Sequence, residues 1–297
     1  MSTGDEIHFF RIRVRRQGVA VRNLVLYLLI AFAGGIMVSS ISRFLFHGSL
    51  LALAHRGLSG QIMRALLLLL GFVALPTVVL LKLNREPYTY SGWNTDGWPI
   101  YAVHGFLSGA LLMGGIAIII GPPQISHMVH QPATVWPDIV LSLLLWGILA
   151  LGEEGLNRGY AFVQLARALS FWPATLLGSA VFAAEHLPNP GESLMGVINA
   201  GLLGSVLSYA LYRTGSLWFS VSFHASWNFF QTSVFGLANS GSATGTGLLH
   251  VIPTGPRWLT GGSTGPEASV LVIPACLILT GLIRGITAGR PHGQMDT

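Results

Sequence analysis

The feature of this sequence that most limits its fold is a series of long apolar runs along nearly the whole chain. Each run is about 20 residues long, the length that a helix needs to cross the hydrocarbon core of a bilayer. Only 9% of the 297 residues are Asp, Glu, Lys or Arg, whereas about 25% are charged in an ordinary soluble domain. The sequence therefore predicts an all-α polytopic membrane bundle with about eight transmembrane helices. The predicted spans are 24–46, 62–83, 100–120, a run from about 135, 171–187, 194–212, 217–237 and 268–286.

The charges beside these runs predict how the chain is organised and oriented. Residues 1–22 carry five arginines and no evident signal-peptidase site, so we interpret them as a retained basic cytoplasmic arm. We expect residues 23–290 to form one transmembrane helical domain with a core of chemistry-bearing residues at about 135–238, followed by a C-terminal tail at 291–297. The positive-inside rule places both termini in the cytoplasm. This topology explains the net charge of +5, so no nucleic-acid partner is expected.

Ionisable residues within one otherwise apolar span form the first candidate cluster. A charged side chain is costly inside a bilayer and is by default a sign of function. Glu154 and Arg158 are four residues apart on a predicted helix, so they can form an ion pair, which by itself is also explained as a structural clamp. Glu153 points about 100° away from that pair and lacks the partner. A carboxylate in such a position is suited to act as a general base or general acid.

Two histidines mark a second and a third cluster. Phe182 and His186 lie four residues apart in the fifth predicted span, and His224 and Asn228 share one face of the seventh. Either histidine taken singly is better explained as an interhelical hydrogen-bonding group. All three clusters together offer a base that activates water beside donors for a developing oxyanion.

Residue counting from the turns predicts the depth of these groups. Glu153 and His186 lie almost equally far from a turn near Ser170, so antiparallel helices bring them to one level. His224 lies much nearer its own turn at Gly215, and we expect tilt or a protruding hairpin to absorb the difference. Because these inner turns join the helices, we expect the cavity between them to open toward the cytoplasm.

The three motifs resemble those of a known membrane protein family. They read Glu153-Glu154-x-x-x-Arg158, Phe182-x-x-x-His186 and His224-x-x-x-Asn228, in this order on successive hydrophobic segments. This combination resembles the CPBP family of CAAX prenyl endopeptidases and bacteriocin-processing or self-immunity proteins, also called the Abi family. The resemblance covers about 135–237, and the three motifs are specific together although each is weak alone.

The resemblance implies an intramembrane endopeptidase of the glutamate-dependent or metallo type. Glu153 would activate the hydrolytic water, and His186 would position or polarise that water. His224 and Asn228 would stabilise the oxyanion, a role that needs hydrogen-bond donors in place before the charge develops. The other two residues of the first motif, its second glutamate and its arginine, would hold that motif in shape.

The family also suggests the class of substrate and two alternative functions. Its prenyl proteases cleave a lipidated carboxy-terminal tail and release a tripeptide. We therefore expect a membrane-embedded or lipid-anchored substrate at a bacterial plasma membrane, and the sequence leaves the oligomeric state open. A non-catalytic scaffold or bacteriocin self-immunity protein remains an alternative, as does a translocator that uses buried carboxylates and histidines as a proton relay.

Other hydrolytic chemistries can be compared with the same sequence. A site-2 type zinc protease needs His-Glu-x-x-His, but no histidine in this chain is followed by Glu. The Gly-x-Ser-x-Gly pattern at 261–265 falls in a predicted outer loop rather than between a strand and a helix. Glu153, His186 and His224 are residue types that bind zinc, so the sequence leaves open whether no cofactor or a divalent metal is required.

Overall fold

A computed structural model describes residues 17–125, 132–242 and 247–288. The predicted C-terminal tail at 291–297 and most of the predicted basic arm at 1–22 lie outside these residues.

Helices account for almost all of the regular structure in the described residues, and two three-residue strands pair in antiparallel fashion. Short π-helical segments follow α3 and α10, at 69–74 and 230–234. The elements are α1 (Gln17–Phe46), α2 (Leu50–Ala54), α3 (Gly57–Leu68), α4 (Leu75–Asn84), α5 (Trp98–Ile120), β1 (Pro123–Ile125), α6 (Pro132–Arg158), α7 (Tyr160–Leu169), α8 (Phe171–Glu185), α9 (Leu194–Thr214), α10 (Trp218–Phe229), β2 (Leu249–Val251), α11 (Arg257–Thr260) and α12 (Val272–Ile286).

Each predicted span coincides with a helical segment of this bundle. Five segments are long and apolar enough to cross a membrane, and α12 is a shorter apolar helix. The segments at the fifth and seventh predicted spans, α8 and α10, are also short. The prediction of an all-α polytopic membrane bundle is confirmed. The five long segments are Gln17–Phe46, Gly57–Asn84, Trp98–Ile120, Val135–Leu169 and Leu194–Thr214.

Contacts between helices define two ends of the bundle. At the end where α1 begins, Gln17 donates a hydrogen bond to the carbonyl of Ala168. At the same end, the Arg213 side chain at the end of α9 donates to the Thr287 carbonyl beyond α12. We call this the terminus end. The opposite end, which we call the loop end, contains the β1–β2 pair and the connections 186–193 and 235–271.

Two glycines of α5 set the position of α10, the helix that carries the third motif. A Cβ atom at Gly105 would lie 2.3 Å from the Phe219 carbonyl oxygen, and one at Gly109 would lie 2.6 Å from that of Phe223. Both distances are too short for a real Cβ contact, so only glycine permits this approach. Ser226 of α10 also donates a hydrogen bond of 2.6 Å to an α5 carbonyl. The two helices are therefore locked in register, backbone against backbone.

A break after Arg158 corrects the depths that residue counting predicts. Gly159, with ψ of −142°, separates α6 from α7, so the two helices do not continue along one axis. The count from Glu153 to the turn at Ser170 therefore does not measure the depth of that glutamate.

Candidate active site

The first motif lies in the last turns of α6 and forms a buried ion pair. Arg158 Nη1 lies 2.8 Å from Glu154 Oε2, and neither residue is more than 1% exposed. Arg158 Nε also donates to the Gly204 carbonyl of α9, and its guanidinium stacks 4.8 Å from the centre of the Phe182 ring of α8. Buried charges need a partner and further hydrogen bonds to remain stable. This pair has both, and it ties α6 to α8 and α9.

The third motif is joined to the first through His224. Its Nδ1 lies 2.9 Å from Glu154 Oε1, the oxygen that does not face Arg158. Its Nε2 lies 3.6 Å from Glu153 Oε2. The group that approaches Glu153 is therefore a histidine from another helix and not Arg158 of its own helix. A pattern within one helix gives no information about that approach.

The second motif presents a histidine at the end of α8. His186 Nδ1 lies 2.8 Å from the Phe182 carbonyl oxygen, which can only accept a hydrogen bond. Nδ1 therefore carries the proton, and in the neutral ring Nε2 keeps its lone pair. The Phe182 ring packs edge-on against His186 and also against His224, with centroid distances of 4.9 and 6.3 Å. Phe182 thus packs against both histidine rings.

Asn228 is oriented by a loop residue that the sequence patterns did not identify. Asn239 Nδ2 donates to Asn228 Oδ1 at 3.1 Å, so the oxygen of the Asn228 amide is occupied. The amide NH₂ of Asn228 is then the group left to donate toward the cavity. Asn239 is itself held by a backbone bridge to Ser242. It lies among small polar residues with no helical periodicity, so no spacing rule singles it out.

Glu267 is a second residue that the patterns did not identify. Its Oε2 accepts the backbone N–H of Ser240 at 3.0 Å, and its own carbonyl accepts from Asn199 of α9 at 2.7 Å. Glu267 lies in the loop before α12, outside the spanning helices. Burial raises the pKa of the Glu267 carboxyl to about 7, against the opposing effect of the Ser240 N–H. The sequence feature that could have indicated Glu267 is a single acidic residue within a loop rich in Gly and Ser.

One cavity is lined by polar residues from each of the three motifs. Its empty volume is about 820 Å³, which includes space open to solvent. Polar residues from the connections at the loop end line its outer part. The residues from these connections indicate an opening at the loop end, whereas the turns near Ser170 and Gly215, on whose side we expected it, lie at the terminus end. This central cavity is lined by Glu153, His186, His224 and Asn228, by the apolar side chains Trp146, Phe182, Leu203, Leu207, Phe223, Trp227 and Val272, and by Asn189, Glu192, Asn199, Asn239, Ser240 and Glu267.

The candidate metal ligands do not form a ligand group. Glu153, His186 and His224 all line the central cavity. Among the described residues, however, no three His, Cys, Asp or Glu side chains are arranged to hold a metal ion. As these side chains are placed, they do not fit a resident metal.

Two further features of the sequence have structural explanations. Glu185, next to His186, lies outside the cavity lining, and its Oε2 accepts a hydrogen bond of 2.9 Å from Asn157 of α6. Ser263, the serine of the Gly-x-Ser-x-Gly pattern, donates to the Gly191 carbonyl from an irregular loop. That loop is not the strand-turn-helix element in which the pattern positions a nucleophile.

The comparison with protein families identifies the segment that carries this site. Residues 134–230 match the model described as type II CAAX prenyl endopeptidase Rce1-like. This segment is similar to that family, and we refer to it as the Rce1-like domain. No curated protein and no solved structure matches the chain. At the family level, the Rce1-like domain supports a CAAX-protease-like intramembrane endopeptidase.

The Rce1-like domain contains all six residues that the sequence motifs predict for the site. Asn239 and Glu267 lie beyond its last matched residue. The central cavity is therefore built from the Rce1-like domain together with the connection that follows it. The six motif residues are Glu153, Glu154, Arg158, His186, His224 and Asn228.

Proposed function

We propose that this protein hydrolyses a peptide bond of a membrane-embedded or lipid-anchored substrate, with Glu153 as the base that activates water. The observation that carries the proposal is the convergence of Glu153, His186, His224 and Asn228 from three helices on one cavity. A base, a group that orients water and donors for an oxyanion are the parts that peptide hydrolysis needs. A scaffold places no demand on an ionisable group at position 153.

The proton transfers follow from the positions of these groups. Glu153 takes a proton from water while the lone pair of His186 Nε2 accepts the other water hydrogen and orients the attacking oxygen. Attack on the peptide carbonyl carbon forms a tetrahedral oxyanion, which the Asn228 NH₂ stabilises. Glu153 then returns its proton to the leaving nitrogen as the carbon–nitrogen bond breaks.

His224 adds a second donor when its ring is doubly protonated. Its Nδ1–H then donates to Glu154 at 2.9 Å, and its Nε2–H faces the part of the cavity next to Glu153. Glu154 and Arg158 do not touch the reacting atoms in this scheme. They act as positioning residues, because their buried pair fixes the ring of His224 and the end of α6.

The charge at the terminus end supports an orientation with both termini in the cytoplasm of a bacterial plasma membrane. Four arginines at positions 11–16 precede α1 in the sequence. Six more basic residues of the described chain lie at this end, against four at the loop end or near it. Cytoplasmic segments are the ones enriched in Lys and Arg. The six are Arg22, Lys82, Arg85, Arg167, Arg213 and Arg284, and the four are Arg43, Arg56, Arg64 and Arg257.

The Glu153→Gln variant tests the catalytic proposal. It keeps the shape of the side chain and removes the base. New peptide termini in membranes are compared between cells that express the wild type and cells that express Glu153→Gln at matched levels. The matched control is Glu185→Gln, the same chemical change at an exposed residue outside the cavity.

The pattern of termini decides between enzyme and scaffold. Termini present with the wild type and with Glu185→Gln, but absent with Glu153→Gln, support hydrolysis and identify the substrate. The same termini with all three proteins overturn the role of Glu153. A phenotype that survives Glu153→Gln without any protein-dependent termini supports the scaffold or self-immunity alternative.

A further inference from the structure

We propose that substrates enter the central cavity from the membrane face opposite the termini, and that they are neutral or basic polypeptide segments presented at the extracytoplasmic surface. That the entering segment is a substrate rests on the proposed function. The direction of entry depends only on the fold and its charges. It differs from a cytoplasmic lipidated tail in both location and charge.

The terminus end of the site is closed by a packed loop. Leu217 N donates to the Gly92 carbonyl at 2.8 Å, and Ser216 Oγ donates to the Asn94 carbonyl at 2.8 Å. Ser216 and Leu217 are fully buried. The Trp93 ring packs 5.6 Å from the Trp218 ring in the same layer. These residues belong to the connection before α5 and to the turn before α10, and they separate the site from the terminus end.

The loop end of the site is open and polar. Asn189 and Glu192 from the connection after α8 line its outer part, together with Asn239, Ser240 and Glu267 from the connections around β2. Apolar side chains of α9 and α10, including Leu203 and Trp227, line the cavity together with Glu153. A peptide therefore reaches Glu153 from the loop end, along an apolar wall of the kind that holds ligand side chains.

The charges of the rim select the kind of peptide. Three carboxylate residues line the central cavity, Glu153, Glu192 and Glu267, and the described lining contains no Lys or Arg. The nearest motif cation, Arg158, is buried and committed to Glu154. A free carboxy-terminal carboxylate or an anionic lipid headgroup would face these three carboxylate residues and meet no Lys or Arg in the described lining, whereas a neutral or basic segment is accommodated.

The orientation of the bundle determines which side of the membrane the cavity faces. The terminus end carries the excess of Lys and Arg and is expected in the cytoplasm. The cavity opens at the other end, so its substrate comes from the extracytoplasmic side or from the outer leaflet. A protein or peptide that has crossed the membrane, or is crossing it, meets this description.

The chain offers a direct test because Cys276 is its only cysteine and is buried. In a Cys276→Ala background, single cysteines are placed at Asn189 in the cavity rim, at exposed Ser263 of the loop end and at exposed Thr95 of the terminus end. Intact cells and permeabilised cells are treated with a membrane-impermeant maleimide. Ser263→Cys and Thr95→Cys are a matched pair, since both replace a small hydroxyl side chain.

We expect Asn189→Cys and Ser263→Cys to be labelled in intact cells, and Thr95→Cys to be labelled only after permeabilisation. Labelling of Thr95→Cys in intact cells, with Asn189→Cys and Ser263→Cys labelled only after permeabilisation, overturns the proposal. Ser263→Cys keeps the test decisive if Asn189→Cys does not fold.

Two further measurements separate this inference from the proposed function. Glu153→Gln in the same cysteine backgrounds is expected to give the same labelling, because the direction of entry does not depend on catalysis. Loss of the wild-type peptide termini after the label is attached at position 189 supports entry through the rim. Unchanged termini after complete labelling there overturn it, whereas failure of the Glu153→Gln comparison alone overturns only the proposed function.

Discussion

The floor and the rim of the central cavity are held together by different kinds of interaction. In the floor, Glu154, Arg158 and His224 form a buried network of ionisable groups, with the first two on α6 and the third on α10. In the rim, Asn239 and Glu267 are held by amide and backbone hydrogen bonds within the loops. Charged pairs in a buried floor cannot be removed singly without a large penalty, whereas neutral hydrogen bonds in a solvated rim are individually modest. The floor therefore contributes most of the stability of the site, and the rim orients individual side chains within it.

The largest effect is expected from removing the cation of the floor. Arg158→Met leaves the buried Glu154 carboxylate with His224 in place of its guanidinium partner, and breaking a buried pair in this way costs about 3–5 kcal/mol of stability. Thermal unfolding in detergent measures the loss. The double variant Glu154→Leu with Arg158→Met is expected to recover much of it, because both charges are then absent. A single variant as stable as the wild type would show that the ion pair does not hold the floor.

The next largest effect is expected on kcat from a change at Asn228, which lies between the floor and the rim. Asn228→Ala removes a donor for the oxyanion, and loss of one such donor lowers kcat by about 10²–10³-fold. Steady-state kinetics on the substrate identified from the peptide termini measure the change, with an unaltered unfolding temperature as the control. A change confined to KM would place Asn228 in substrate binding instead.

A smaller effect is expected from the rim residue that orients Asn228. Asn239→Asp keeps the size of the side chain but removes the donor to Asn228 Oδ1, and the net value of one hydrogen bond is about 1 kcal/mol. We expect kcat to fall by roughly fivefold with little change in KM. Asn189→Asp adds the same charge to the same rim away from Asn228 and is the control. Equal losses in both variants would assign the effect to charge rather than to orientation.

The smallest effect is expected in the pH dependence of stability. The pKa of Glu267 is raised from 4.5 to about 7 by burial, so the folded state binds its proton more tightly than the unfolded state. The stabilising contribution is complete below about pH 4.5 and is lost as the pH rises through about 7. Between pH 6 and pH 8 we expect the wild type to lose about 1 kcal/mol more than Glu267→Gln. Parallel pH profiles of the two proteins would contradict the assignment.

The contrast between floor and rim also explains what the sequence could predict. The pairing of Glu154 with Arg158 follows from a spacing of four residues on one helix, and the spans follow from the lengths of the apolar runs. The contact between His224 and Glu153 joins residues 71 positions apart on two helices, and no local spacing encodes it.

The rim and the direction of the opening could not be predicted for the same physical reason. Asn239 and Glu267 act through the irregular backbone of long connections, where neither a period of 3.6 nor a charge pattern applies. The opening depends on which connection packs over the site, and here Leu217 and Gly92 close one end while the loops leave the other open. Residue counting assigns depth along a straight helix, and Gly159 breaks that helix.

The glycine contacts between α5 and α10 determine how much of the chain is needed to transfer this site to another protein. Gly105 and Gly109 belong to a helix outside the Rce1-like domain, yet their missing side chains let α10 lie against the α5 backbone. A fragment limited to residues 134–230 would lose the partner surface that holds His224 at the level of Glu153. A fragment that preserves the site must therefore include α5, although this helix carries none of the six motif residues.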